Sequence, residues 1–166
     1  MSKNSKPQEH LPYIGIGPLC VIVMVALTTG GIVLSEKGLL PWGKAAFLRM
    51  PFVLIAALLI VAGLTIYGNA LFGAKIESHI QSNTLAQSGV YAWVRNPIYT
   101  AFMIFCTAAL LIEGNVCLLV LPFVFWGWMT LLLRHTEEKW LLALHGEVYT
   151  DYCRRVNRCI PWFPKK

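Results

Sequence analysis

The chain has 166 residues, 57% of them hydrophobic and 13% charged, with a net charge of +6. A soluble domain carries about 25% charged residues, so this composition excludes that class and makes the bilayer the solvent of one domain spanning the whole chain. Nucleic acid is not the implied partner either, because the Lys and Arg residues flank apolar runs, where lipid headgroups would be their neighbours.

Residues 11–35, 50–74, 98–112 and 114–133 contain no Asp, Glu, Lys or Arg. One unpaired charge at mid-bilayer costs about 2.5–3.5 kcal/mol on insertion scales, so these windows read as membrane spans. They predict an all-α polytopic bundle of four to five transmembrane helices.

Residues 1–10 are polar, with Lys3 and Lys6 placed to meet headgroups. The apolar run that follows is too long for a cleaved signal peptide and lacks a clear small-residue cleavage site, so the segment reads as the flank of an anchor. The first span is expected over 13–34. Gly15-Ile16-Gly17 is no dinucleotide fingerprint, since no strand precedes it, Pro18 follows and the third glycine is absent. The connection 35–49 carries Glu36, Lys37, Pro41, Trp42 and Lys44, with the Trp at interfacial depth. The second span covers about 46–71, and Pro51 falls in its first turns, where a missing N–H does little harm.

From 72 to 96 the chain is polar and long for a link between helices, which is the habit of functional loops. It offers Lys75, Glu77, His79, Gln81, Asn83 and Thr84, then Gly89 as a backbone pivot. The third run, 98–112, would be about 22 Å long as a helix. Glu113-Gly114-Asn115 then makes a tight turn into the fourth run, 116–133, so the two should form an antiparallel hairpin. Tyr99 and Arg134 must therefore return to one membrane face. Beyond them, 137–155 has helical character, with Trp140, Leu141, Leu144 and Val148 near one side, and either lies in the interface or prolongs the fourth helix.

The turn at Glu113 has no Lys or Arg, whereas Lys75, Arg95 and the tail with Arg134, Lys139, Arg154, Arg155, Arg158, Lys165 and Lys166 are basic. The positive-inside rule puts that basic face and both termini in the cytoplasm, with Lys37, Lys44 and Arg49 outside. The cysteines, Cys20, Cys106, Cys117, Cys153 and Cys159, form no CxxC pair and no metal-ligand spacing with histidine, so they read as small hydrophobes kept reduced.

No G-x-S-x-G, H-E-x-x-H, phosphate loop or aspartate cluster is present, which leaves hydrolysis and metal chemistry without support. The chemistry-bearing residues are Tyr91, Arg95, Asn96 and Tyr99 in one segment and Arg134, His135, Glu137 and Glu138 in the other. Arg134 and Glu138 are four apart and share a face of a continuous helix. Singly, each has a plainer role: a helix-end ion pair, a headgroup anchor, an aromatic belt, a solvated histidine.

Their order is more informative. Ser88-Gly89-Val90-Tyr91-Ala92-Trp93-Val94-Arg95-Asn96-Pro97-Ile98-Tyr99, followed by Arg134, Glu137-Glu138, Gly146, Tyr149, Tyr152, Val156 and Ile160-Pro161, resembles the isoprenylcysteine carboxyl methyltransferase family of integral-membrane enzymes. The resemblance covers roughly residues 83–163. It implies S-adenosylmethionine as methyl donor and S-adenosylhomocysteine as product, held without a Rossmann fold by segments 72–99 and 134–163 at the cytoplasmic face. The cofactor-binding set implied is His79, Gly89, Val90, Tyr91, Arg95, Asn96, Pro97, Tyr99, Glu137 and Glu138, with Arg95, Glu138 and Arg134 as catalytic residues. It further implies no metal, and a prenylated-cysteine or other lipid substrate entering sideways from the membrane lipids of a prokaryotic plasma membrane or endoplasmic reticulum.

One residue departs from the pattern. Members that methylate prenylcysteine commonly read Arg-His-Pro, whereas Arg95-Asn96-Pro97 stands here, a form shared with relatives that methylate phospholipids. The resemblance still implies a prenylcysteine carboxylate as acceptor first, with a phosphatidylethanolamine-type amine as the alternative, which would need His79 or His135 as base. A non-catalytic scaffold or small transporter is the reading from another class. It would be expected to set polar residues within its spans, where only Asn69 and a few threonines occur.

Overall fold

The computed structural model describes residues 16–73 and 84–164. Four apolar helices, α1 (Gly17–Glu36), α2 (Arg49–Gly68), α3 (Pro97–Glu113) and α4 (Leu121–His135), are followed by two short ones, α5 (Glu137–His145) and α6 (Glu147–Arg155). Strands are absent among the described residues, which hold only two isolated bridges. Three helical stretches, Gly17–Glu36, Ala46–Gly73 and Val116–His145, are long and apolar enough to cross a membrane. α3, with 17 residues, is shorter, at about 25 Å. The expected all-α membrane bundle is what forms.

α3 is its centre. It lies most extensively along α2, then along α1, and less along α4. The main core joins Cys20 and Met24 of α1, Cys106 and Leu110 of α3, and Phe125, Met129 and Leu133 of α4 to Cys159 of the tail. Large apolar side chains such as Leu54, Leu58, Leu64 and Phe123 point outward, as lipid-facing residues do when packing rather than exclusion of water joins the helices.

The turn between α3 and α4 is as tight as expected, with Gly114 in the left-handed region at φ 74°. α4 begins later than the hydropathy implied. The Asn115 side chain accepts a hydrogen bond from Cys117 N at 3.0 Å, and Val116–Val120 winds as a 3₁₀ turn before the helix starts.

The same asparagine locks this end of the bundle. Asn115 is fully buried, and its Nδ2 donates to Ser35 Oγ at 2.8 Å and to the Leu40 carbonyl at 3.0 Å. Ser35 donates in turn to Glu113 Oε1 at 2.7 Å, and Lys44 Nζ closes the group on the same oxygen at 2.8 Å. The end of α1, the end of α3 and the loop before α2 are thereby tied together. Asn115→Ala should destabilise the protein by roughly 2–4 kcal/mol, because buried groups lose partners that water cannot replace. Lys44→Ala, at a half-exposed ammonium, should cost less than about 1 kcal/mol. Thermal unfolding in detergent micelles checks both, and equal small shifts would deny the asparagine its structural role.

Candidate active site

At the opposite end, the chain enters α3 through a 3₁₀ turn, Gly89–Ala92, with Gly89 at φ 60°. Tyr91 is buried there, its carbonyl accepting from Tyr152 Oη at 2.6 Å, and Val90 packs on the cluster of Ala70, Ala86 and Tyr91. Burial pushes the Tyr91 phenol up to about 12. The next residues are extended and pair with the tail: Arg95 N donates to Asn157 O at 2.9 Å, Asn96 N to Arg158 O at 3.2 Å, and Trp162 N to Trp93 O at 3.3 Å. The Asn96 side chain adds a bond from Nδ2 to Arg158 O at 3.0 Å. Pro97 then opens the helix, where its missing N–H is harmless.

This pairing sets two arginines around one carboxylate. Arg95 Nη1 lies 3.1 Å from Glu138 Oε1, with the Arg95 side chain 8% exposed and that of Glu138 14%. Arg158 grips the same carboxylate with both arms, Nε to Oε1 at 2.5 Å and Nη2 to Oε2 at 2.9 Å. That fork-on-fork bond holds the Arg158 guanidinium above the usual arginine range. Arg95 Nη1 also reaches Tyr149 Oη at 3.4 Å and Cys153 Sγ. Burial, then the charge of Glu138, raises the Tyr149 phenol, so it stays protonated. Arg95 Nε is buried and has no hydrogen-bond partner among the described residues. Two guanidinium cations against one carboxylate leave one uncompensated positive charge and one unused donor among the described residues of this cluster.

Glu137 serves the other side. Its Oε1 accepts from Tyr99 Oη at 2.9 Å and from Ile16 N at 3.1 Å, while Oε2 has no partner among the described residues. The starts of α1 and α3 therefore meet the end of α4, as the hairpin argument requires for Tyr99. Gly17 permits that approach, since a Cβ there would lie 2.4 Å from Tyr99 Oη.

The expected Arg134–Glu138 face does not form. α4 stops at Thr136, whose φ of −128° and ψ of −89° break the helix, so Glu137 and Glu138 leave on a new axis. Arg134 is exposed and makes no ion pair among the described residues, and Glu138 turns to Arg95 and Arg158 instead. His135 is exposed, with Nδ1 2.7 Å from the Leu131 carbonyl of its own helix. His79 lies outside the described residues. Sequence reasoning gave Arg158 no role beyond tail charge, because no fixed spacing links it to Glu138 across two helix breaks.

An open apolar groove of about 380 Å³ lies between α2, α3 and α4. Leu59, Met103, Ile104, Thr107, Pro122, Phe123 and Trp126 line it, and Ile160, two residues after Arg158, forms its end in the tail.

The family model described as "Phospholipid methyltransferase" matches residues 48–148. The chain is 32% identical over 85 residues to a protein-S-isoprenylcysteine O-methyltransferase of Schizosaccharomyces pombe, covering 51% of this chain and 36% of that protein. A mouse protein of the same name is 30% identical over 115 residues, covering 63% of this chain and 40% of its own. One from Saccharomyces cerevisiae is 31% identical over 81 residues, 48% of this chain and 34% of the relative. The matched part is thus about two fifths or less of these relatives' length. No solved structure matches the chain.

Glu138→Gln should strand the buried Arg95 guanidinium and the part-buried one of Arg158 without a counter-charge, and leaving a buried charge unpaired costs about 3 kcal/mol or more. A fall in thermal stability larger than that of Glu137→Gln is the expected result, and equal stability of the two variants would contradict the ion-pair geometry.

Proposed function

Because the chain belongs to the phospholipid methyltransferase family, we propose that it is an S-adenosylmethionine-dependent membrane methyltransferase whose acceptor is the carboxylate of an S-prenylated cysteine. The observation that carries this reading is the Arg95 guanidinium, buried, with Nε unused, in a cluster with one positive charge to spare. The names of the relatives from two yeasts and from mouse support the same acceptor.

Bound S-adenosylmethionine would supply an electrophilic methyl group on a sulfonium. The backbone from Gly89 to Tyr91, the start of α3 at Pro97, and Tyr99 with Glu137 are the residues suited to hold it, and Oε2 of Glu137, without a partner among the described residues, fits a hydroxyl or ammonium. Arg134, exposed and without an ion partner among the described residues, is suited to the donor's carboxylate. Asn96 serves from the backbone side, by holding the tail against the loop.

A carboxylate acceptor already has its nucleophilic oxygen at neutral pH, so the chain needs to orient it and exclude water rather than remove a proton. Arg95 Nε is suited to that orientation. The electrostatics disfavour an ammonium acceptor, which would meet net positive charge and need a base. His135, bonded to its own helix, is poorly placed to serve as that base. The apolar groove would take the prenyl chain directly from the bilayer, with Ile160 joining its end to the segment that carries Arg158. The basic side chains Arg134, Lys139, Arg154 and Arg155 support a cytoplasmic orientation of this end.

The purified protein should bind S-adenosylhomocysteine in calorimetric titration and transfer labelled methyl to S-farnesyl-N-acetylcysteine rather than to phosphatidylethanolamine. Absence of product binding would end the methyltransferase reading, and transfer to phosphatidylethanolamine alone would end the choice of acceptor. Arg95→Ala should lower kcat/KM for the farnesyl acceptor by about 100-fold, the scale of a misplaced reactant. Its affinity for S-adenosylhomocysteine should change by less than about threefold; a parallel loss of both would assign Arg95 to the donor.

A further inference from the structure

We propose that Arg158 is a positioning residue for the acceptor: by engaging both oxygens of Glu138 it keeps that carboxylate from closing on Arg95, so Arg95 Nε stays available to an anionic ligand group. The inference rests on the carboxylate-acceptor reading above and goes beyond it in assigning a residue outside the loop–helix motif.

The geometry is one of competition. A carboxylate and a guanidinium left alone pair through two parallel hydrogen bonds. Here Arg158 takes that bidentate place, at 2.5 and 2.9 Å, and Arg95 reaches the same carboxylate only through Nη1, at 3.1 Å. Arg95 Nε is consequently buried without a partner among the described residues, which costs free energy in the unliganded protein. A ligand carboxylate meeting Nε would recover that cost and neutralise the spare charge together.

The backbone fixes Arg158 for this task. Its carbonyl accepts from both the backbone N and the side-chain Nδ2 of Asn96, at 3.2 and 3.0 Å. Asn96 adjoins Arg95, so the two arginines are carried on paired segments. The neighbouring Cys159 carbonyl accepts from Thr100 Oγ1 at 2.9 Å, and the Cys159 side chain sits in the main core. Arg158 is thus held from both sides, although its own side chain is 24% exposed. Without it, Glu138 is free to swing both oxygens onto Arg95 and fill the anion position from within.

The discriminating measurement is a ratio. Full-length protein in lipid nanodiscs is titrated with S-farnesyl-N-acetylcysteine and with its carboxamide, which has the same prenyl chain without the negative charge. Wild type should prefer the acid. Arg158→Ala should reduce that preference about tenfold or more, the scale of one hydrogen bond to a charged group, with little change in affinity for the carboxamide. Arg158→Lys keeps the charge but cannot grip two oxygens, so its preference should fall between the two, and it carries the test if the alanine variant does not fold. An unchanged acid-to-amide ratio in Arg158→Lys, or equal losses for both probes, would overturn the positioning role. If wild type methylates the acid and the ratio does not move, only this inference fails. If wild type shows no preference for the acid, the acceptor reading fails first.

Discussion

The candidate site depends on a short parallel pairing of backbone, Arg95 N to Asn157 O and Asn96 N to Arg158 O. At the edge of a membrane, backbone that is neither helix nor sheet survives only where protein satisfies its polar groups. The extended residues before α3 and the tail beyond α6 do this for each other. Arg95 and Arg158 therefore arrive on neighbouring strands of chain with their side chains converging on Glu138, and a guanidinium can be held dry beside a second one.

The two ends of the bundle apply the same physics to opposite ends. Around Asn115 the groups of Ser35, Glu113 and Lys44 are linked, and the one anion has its cation. Such a network rigidifies a join and asks nothing of a ligand. Around Glu138, cations outnumber the anion and a buried donor is unused among the described residues. Buried polar groups are ordinarily satisfied, and it is on this exception that the proposed acceptor site rests. The short α3 joins the two clusters, with Glu113 at its last residue and Asn96 immediately before its first.

Much of this was legible from the chain alone. Long uncharged runs gave the four apolar helices, and the glycine turn at 114 returned Tyr99 to the acidic pair, where it bonds Glu137. The reading failed wherever it assumed that a helix continues. Four-residue spacing joined Arg134 to Glu138 only on an unbroken helix, and the backbone breaks at Thr136 between them. Asn115 delayed α4 by capping a 3₁₀ turn that hydropathy does not register. Cys159, read as a small hydrophobe, does pack as one, in the main core. Arg158 had no periodic relation to anything, because its place is decided by backbone pairing between segments more than 60 residues apart.

Asn96 changes meaning in this light. As a letter in a motif it departs from the Arg-His-Pro expected by resemblance of a prenylcysteine methylator, and so bears on the choice of acceptor. As a side chain it donates to the Arg158 carbonyl, so its direct effect falls on the tail. An amide donor does not titrate, whereas an imidazole changes charge near neutral pH, so this contact keeps its donor across the physiological range without adding a charge to a cluster that already has one to spare. The proposed acceptor then rests on the sum of charges around Glu138 rather than on the identity of residue 96.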